Sequence, residues 1–559
     1  KLERVGIHDN FFELGGHSLL AMRLLERMRQ EGLYASVRAL FAVPTIAALT
    51  EEVSSDKRIE VPPNRILPGC EMITPDMLPL VALGQAEIDQ IIASIPGGAA
   101  NVQDIYPLAP LQEGILFHHL MASEGDVYLL QSLVAFDDRA NLEDFLTGLQ
   151  AAIDRHDVLR SGIMWEGLSV PVQVVWRRVE LPIEEVQLDG SANVIEQLLE
   201  RFNLRRCRLD IRKPPMLQGF VAHDVIGERW LLLLLNHQLA GDHTTLDVLI
   251  EEIRAHVLGQ ADRLPPVVPF RNFVTQARLS MSTEEHKAFF RSMLEGVDEP
   301  TAPFGLLDVR GDGKRVGEAR TALDPELARQ LRLRARALGV SPASLFHVAW
   351  AQVLARTSGR HDVVFGTMLF GRMQGGENAD RALGLFMNML PVRIRLGNDS
   401  VESSIRHTHN LLTELLRHEY ASLALVQRCS DVAVGMPLFT ALLNYRYGSQ
   451  LQGQAAPTAW EGVELLGYEE RTNYPLTLTV DDLGEGFLLT AQVQEPVAAE
   501  CICNFMHMAL TNLVDVLEHA PARPIQSLDL LPDVERERLV VEWNATRADY
   551  PAEKCLHEL

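Results

Sequence analysis

The sequence predicts a small helical unit followed by one large α/β domain, and three observations support this. Apolar residues recur at helical spacing from Leu19 to Met28. Between Val53 and Pro68 the composition turns polar and includes three prolines, which is typical of a linker. Residues 76–530 then alternate helical and β-rich runs without internal repeats, a pattern that favours a large α/β domain of two similar lobes.

Composition excludes several classes of protein. The 559 residues correspond to about three or four domains, and 47% hydrophobic with 23% charged residues is globular usage. A net charge of −24 opposes broad contact with nucleic acid. The sequence has no apolar run of about 18 residues to span a membrane. Six scattered cysteines indicate neither a disulfide framework nor a metal site. With no leader before Lys1, we expect a cytoplasmic piece of a longer polypeptide.

Individual elements follow from local periodicity. A short helix is expected from Ile46 to Val53, after Pro44-Thr45. Longer helical runs in the large domain are Asn141–Ile153, Asp324–Leu338 and Pro342–Arg356. Runs rich in β-branched and other apolar residues predict strands at Val127–Phe136, Trp230–Asn236, Val363–Thr367 and Leu476–Val480.

The most specific motif is the segment Asp9–Leu20. Its Gly15-Gly16 pair provides a flexible turn, and Ser18 opens an amphipathic helix. Ser18 can simply cap that helix by accepting a hydrogen bond from a free backbone N–H. The same free N–H groups and the helix dipole also favour a phosphate attached there.

This segment resembles the attachment motif of peptidyl carrier domains of nonribosomal peptide synthetases. The resemblance covers nearly all of residues 1–52, including the Leu40–Ile46 stretch, and implies a small four-helix carrier bundle followed by a linker at 53–75. It also implies that Ser18 carries a covalent 4'-phosphopantetheine arm, attached by a phosphopantetheinyl transferase. Ser18 can serve as cap and attachment site at once.

A second motif follows a buried strand. The apolar run Trp230–Asn236 ends in His237-Gln238-Leu239-Ala240-Gly241-Asp242-His243, and a helix follows from about Thr244. Polar residues on a loop between a strand and a helix are a common place for chemistry. The plainer interpretations are that His237 is a hydrogen-bonded core histidine and that Asp242 caps the helix.

Residues 76–530 resemble the condensation domain of the same synthetases. Matching blocks are Tyr106–Gly114, Arg155–Arg160, His237–His243, Leu383–Arg393, Leu443–Arg446 and Asn473–Leu476. The resemblance implies two chloramphenicol-acetyltransferase-like lobes in a V, an N-lobe at about 76–270 and a C-lobe at about 271–530, with a tunnel between them. Residues 531–559 resemble the start of a truncated adenylation domain.

Two positions depart from the family pattern His-His-x-x-x-Asp-Gly. His243 replaces the glycine, which hints at the subtype that accepts a D-configured or epimerised donor. Gln238 replaces the second histidine, the residue usually assigned to the chemistry. Glutamine has no proton equilibrium near neutral pH, so it cannot act as a general base. We therefore expect impaired chemistry, through either an inactivating substitution or a natural variant.

The resemblance also assigns supporting roles. His237 would position the loop, and the Asp242 carboxylate would brace it by pairing with an arginine, for which Arg160 is the candidate. Asn444 and Tyr445 are candidates for the tunnel wall.

The leading hypothesis is a carrier–condensation didomain that forms an amide bond. The carrier would present a donor acyl or peptidyl thioester, and the acceptor would be an aminoacyl group on a downstream carrier. Adenylation domains of the same synthetase would be further partners. Two alternatives stay open: an epimerisation domain, which needs a real base, and a silent condensation-like platform that recruits a tailoring enzyme.

Overall fold

The protein is described from a computed structural model. Ser18, with its neighbours at 15–17 and 19, lies outside the described residues, as does Asn473. The structure describes residues 4–11, 14, 20–21, 24–25, 27–28, 31–33, 35, 39–40, 44–52, 60–121, 125–189, 193–307, 316–372, 381–433, 435–447, 461–469, 472, 474–531, 533–547, 555 and 557.

The large domain is built from strands and helices throughout, and each strand and long helix predicted within it overlaps an observed element. Its strands are β1 (Val102–Pro107), β2 (Leu129–Phe136), β3 (Ser161–Met164), β4 (Val172–Trp176), β5 (Ile183–Glu185), β6 (Leu217–Asp224), β7 (Arg229–His237), β8 (Val316–Ala322), β9 (Asp362–Leu369), β10 (Asn388–Arg395), β11 (Ala441–Tyr447), β12 (Val463–Glu469), β13 (Leu476–Asp482) and β14 (Phe487–Gln494). The helices are α1 (Ile46–Glu52), α2 (Gln85–Ala93), α3 (Pro110–Met121), α4 (Arg139–Arg155), α5 (Val194–Arg201), α6 (His243–Val257), α7 (Phe270–Leu279), α8 (Thr283–Leu294), α9 (Pro325–Leu338), α10 (Pro342–Ser358), α11 (Val401–Leu415), α12 (Leu423–Gln427), α13 (Ala499–His519) and α14 (Asp533–Glu537).

The first lobe is organised around a five-stranded sheet with the order β12-β2-β7-β6-β5. Strand β7 is central because its run of five leucines is buried on both faces. Leu232 and Leu234 pack with α4 and α6 on one face. Leu231, Leu233 and Leu235 pack with α5 on the other. The end of β7, where the polar motif begins, is therefore held rigidly.

The second lobe contains a six-stranded sheet with the order β10-β9-β11-β13-β14-β8. Helices α10 and α13 pack on this sheet, and twelve consecutive residues of α10 are buried in its core. The two sheets, each covered by helices, constitute the two-lobe α/β fold that the sequence predicts.

Residues after the predicted lobe boundary near residue 270 contribute to the first lobe in two places. Strand β12 leaves the second half of the chain and pairs antiparallel with β2 in the first sheet. The first core also takes in Phe386 and Tyr420. The boundary itself stays a prediction, but the lobes share chain segments on both sides of it.

The small N-terminal unit has its own apolar cluster. Ala21, Leu25, Leu40 and Leu49 are buried together, with Leu49 contributed by α1. Phe370 and Leu416 of the large domain pack against this cluster.

Within the described ranges, no single helix has both the length and the apolar character of a membrane span. The pair Pro325–Leu338 and Pro342–Ser358 passes that test only when both helices, bent by 109°, are counted together.

Candidate active site

The polar motif lies on a loop clamped between strands and helix. His237 ends β7, a 3-10 turn follows at Gln238–Ala240, and α6 begins after Asp242. The backbone N–H of His237 donates to the Met216 carbonyl at 2.9 Å, and that of Gln238 donates to the Tyr128 carbonyl at 2.9 Å. These bonds continue the sheet into the loop and fix its path.

His237 is completely buried, and both its ring nitrogens are hydrogen-bonded. Nδ1 lies 3.2 Å from the backbone N of Leu239 and accepts from it. Nε2 therefore carries the proton and donates to Oδ2 of Asp126 at 3.0 Å. Burial lowers the pKa of His237, more than the Asp126 carboxylate raises it, so the ring is neutral. His237 is thus an anchor for the loop.

Asp126 joins this anchor to helix α3. Its Oδ2 also accepts from Nδ1 of His119 at 2.5 Å, and Oδ1 accepts from the Tyr128 N–H at 2.9 Å. Burial by itself would raise the pKa of Asp126, but hydrogen bonds from His119 and His237 outweigh it and hold that pKa below its usual value. Asp126 is a site residue that sequence reasoning missed, although the adjacent His118-His119 pair signalled that one of them faces inward.

His119, Asp126 and His237 also present three potential metal-ligand atoms within 4.8 Å of one another. Binding a metal would require His237 to lose its Nε2 proton and move it to Nδ1. The Leu239 N–H would then face another N–H, at a cost of about 1–3 kcal/mol for an unsatisfied buried donor. The observed hydrogen bonds therefore favour a hydrogen-bonded network of His119, Asp126 and His237 over a metal site.

Gln238 differs from His237 in being half-exposed. Its backbone holds the loop, through the bond to Tyr128 and through its carbonyl, which accepts from the Gly241 N–H at 3.2 Å. Residue 238 is therefore only partly enclosed, whereas the side chain of His237 is completely buried. His243 begins α6.

Asp242 performs both of the roles that the sequence left open. Its Oδ1 accepts from the Thr245 N–H at 3.0 Å, which caps α6, and from Nη2 of Arg372 at 2.7 Å. Its Oδ2 accepts from the Phe386 N–H at 3.3 Å. The side chains of Asp242 and Arg372 are only 1% and 0% exposed, so this ion pair is buried. The Arg372 guanidinium also stacks 4.0 Å from the centroid of the Phe386 ring.

The prediction that Arg160 pairs with Asp242 is wrong. Arg160 is buried, but its guanidinium donates to the Ile153 carbonyl at 3.1 Å, to Oε1 of Gln103 at 2.7 Å and to the Trp176 carbonyl. Arg160 therefore secures β4 and the start of β1.

The two tunnel candidates lie on β11 with opposite orientations. The Tyr445 hydroxyl donates to Oδ2 of Asp482 at 2.6 Å, and the ring packs beside Phe346 of α10. Tyr445 is thus engaged with the helix-covered face of the second sheet. Asn444, the adjacent residue, projects from the other face and stays a candidate.

Comparisons with known proteins agree with this geometry. Residues 102–540 match the family described as condensation domain, and residues 1–53 match the family described as phosphopantetheine attachment site. The chain is 48% identical over its full length to malpibaldin synthetase of Mortierella alpina, of which it covers 10%. It is 28% identical, over 92% of its length, to a linear gramicidin synthase of Brevibacillus parabrevis, again covering 10% of that protein.

Solved structures support the fold. A four-domain nonribosomal peptide synthetase bound to AMP and glycine aligns with a TM-score of 0.63 at 16% identity, covering 78% of this chain and 34% of that one. The condensation domain of the monacolin K polyketide synthase aligns with a TM-score of 0.58 at 20% identity, covering 76% of this chain and all of that one.

The chain belongs to the condensation domain family. Its similarity to other condensation domains implies an acyltransferase activity that forms amide bonds. More particularly, it is a phosphopantetheine carrier domain followed by a condensation domain of a nonribosomal peptide synthetase. The carrier domain is the site of covalent 4'-phosphopantetheine attachment. The chain spans about a tenth of the length of the malpibaldin and gramicidin enzymes.

We expect Asp242→Ala to destabilise the domain by about 3–5 kcal/mol, because it removes the carboxylate that forms a buried ion pair with Arg372. A matched control is Asp324→Ala, since Asp324 caps α9 through the N–H groups of Glu326 and Leu327 but is exposed. That variant should lose only about 1 kcal/mol. Urea unfolding of both variants measures the difference, and equal losses would show that Asp242 acts as a cap alone.

We expect Asp126→Asn to destabilise the domain by about 1–3 kcal/mol. The amide NH₂ of the variant would face one of the N–H groups that donate to Asp126, so two donors would meet without an acceptor. A carboxyl whose pKa is lowered by folding stabilises above its unfolded pKa of about 3.9 and loses that stabilisation as the pH falls. The stability difference between the parent chain and the variant should therefore be constant from about pH 7 to 5 and shrink below about pH 4. Unfolding measured across this range checks the prediction; a difference independent of pH would contradict it.

Proposed function

We propose that this chain joins a donor acyl or peptidyl group, held on its own carrier domain, to an aminoacyl group on a downstream carrier. The observation that carries the proposal is the division of the motif loop into buried anchors and one half-exposed position. His237 and Asp242 are fully hydrogen-bonded within the protein, and residue 238 presents its side chain. Such a loop is suited to holding two reactants in register.

Ser18 is the proposed attachment point for the 4'-phosphopantetheine arm. Residues 20–21, 24–25 and 27–28, which follow Ser18 in the sequence, are helical, and the free N–H groups at the start of a helix favour a phosphate. When bound, the group supplies a thiol that holds the donor as a thioester.

Gln238 reduces the rate in this proposal but does not abolish the reaction. General acid–base help is typically worth about 10²–10⁴-fold, and glutamine cannot supply it. The attacking α-amine has a reference pKa of about 7.7–8.0, so roughly a tenth of it is already neutral at pH 7. Positioning by the anchored loop contributes to the remaining activity.

The partners follow from this reaction. A downstream aminoacyl-carrier domain and adenylation domains of the same synthetase supply the reactants, and a phosphopantetheinyl transferase modifies Ser18. We propose a cytosolic location, where these partners and their substrates occur together.

The carrier part of the proposal predicts that a phosphopantetheinyl transferase with an aminoacyl donor adds one acylated arm to the chain. Intact-mass spectrometry detects the addition, and Ser18→Ala should abolish it. Modification of the Ser18→Ala chain, or none of the parent chain, would contradict the assignment.

The condensation part predicts that Gln238→His raises the single-turnover rate by about 10–100-fold, because an imidazole returns a proton acceptor to the half-exposed position. Rapid quench of the donor-loaded chain with a downstream aminoacyl-carrier measures amide product. A silent platform would instead give no amide with or without the histidine. Epimerisation would appear as deuterium uptake at the α-carbon of the bound aminoacyl group.

A further inference from the structure

A histidine and a tyrosine pair their side chains close to the motif loop. Nδ1 of His118, on α3, is 2.7 Å from the hydroxyl oxygen of Tyr128, and their rings are stacked at 5.9 Å between centroids. Both side chains are half-buried. A phenol and an imidazole at this distance can share a proton.

Tyr128 is the cross-strand neighbour of Gln238. Leu129 of β2 lies opposite His237 of β7, and the Tyr128 carbonyl accepts from the Gln238 N–H one position further along. Tyr128 also packs against the apolar cluster that contains Leu239 and Ala240, so its ring lies against the motif loop.

Helix α3, which contains His118, lies against the motif loop. Gln112, on another side of this helix, donates to the Leu239 carbonyl at 2.9 Å and so faces the loop. Leu111 packs against the core of the second sheet and against the apolar cluster that contains Leu239 and Ala240. His118 lies seven residues after Leu111, on the same stripe of the helix.

Tyr128 is the neutral phenol of the pair. Burial first, then Tyr474 and Asp126, raises the pKa of Tyr128 well above its usual value, so the phenol stays protonated. His119 is bound to Asp126. Helix α12, which packs on α3, contains no ionisable residue.

Strand β10 also packs on α3, and its charged residues are held elsewhere. Both of its arginines, Arg393 and Arg395, contact Asp362 of β9, at 2.6 Å and 3.5 Å.

We propose that Tyr128 and His118 form the proton relay that serves this site in place of a second motif histidine. The inference rests on the proposed amide-forming function. As the amine nitrogen bonds to the thioester carbonyl carbon, its proton passes to Oη of Tyr128 while the Tyr128 hydroxyl proton passes to Nδ1 of His118. The C–S bond then breaks, and the reverse transfer protonates the departing sulfur, so no proton is gained or lost overall.

The test is a double-mutant cycle in the full chain, loaded with donor and supplied with a downstream aminoacyl-carrier. His118→Gln keeps a hydrogen-bonding side chain without a proton equilibrium and should slow single turnover by about 10²-fold. In the Gln238→His background the same substitution should cost less than about threefold, because the new imidazole takes over. Equal costs in both backgrounds, or no cost in either, would overturn the relay.

A second measurement does not depend on the loaded carrier. Nitrogen-15 NMR of labelled imidazoles should show Nδ1 of His118 as a hydrogen-bond acceptor, and Tyr128→Phe, which removes one hydroxyl and little volume, should shift that resonance and slow turnover similarly. His519→Gln, at an exposed position on α13, is the control and should change neither. An unchanged His118 resonance in Tyr128→Phe would refute the pairing, even if His118→Gln fails to fold.

The outcomes also separate the relay from the proposed function. Product from the parent chain that is lost in His118→Gln supports both. Product from Gln238→His alone overturns the relay and leaves the function standing. Absence of product from both chains, with carriers fully loaded, refutes the function, and the NMR comparison then decides on the pairing by itself.

Discussion

The buried ion pair between Asp242 and Arg372 is the interaction on which the site depends. It joins the loop after β7 to the segment between β9 and β10, across 130 residues of sequence. Taking two charges out of water is unfavourable unless their hydrogen bonds are satisfied. Asp242 meets that condition through Thr245, Arg372 and Phe386, which also fixes the start of α6. The loop geometry therefore depends on two chain segments that are far apart in the sequence.

The adjacent motif positions 237 and 238 have different physical tasks. The His237 ring is buried in the core, where it forms an uncharged link between Leu239 and Asp126. Residue 238 contributes its backbone to the loop and is itself half-buried. A glutamine at 238 thus leaves the loop's anchoring bonds intact. The change in proton chemistry that we propose at position 238 is therefore independent of the bonds that hold the loop.

Local sequence patterns predict the helices and strands, whereas the contacts between distant residues depend on the topology of the fold. The leucine run of β7 and the helical repeat of α10 are recognisable because burial imposes a period on neighbouring residues. Arg372 was missed, and Arg160 chosen instead, because the partner of a buried charge is selected by long-range packing. Asp126 follows no periodic pattern, and β12 joins the first sheet from beyond residue 460. The proposed carrier attachment at Ser18 rests on a motif and not on physics alone.

Helix α3 couples the rigid and the reactive parts of the site. Successive residues on a helix are separated by about 100°, so adjacent side chains cannot face the same surface. His119 accordingly enters the buried network through Asp126, while His118 meets Tyr128 at its edge. Asp126 itself binds the Tyr128 N–H, and Tyr128 binds Gln238 through its carbonyl. The anchor that holds the loop therefore also sets the position of the phenol beside it, and a shift of α3 would move both.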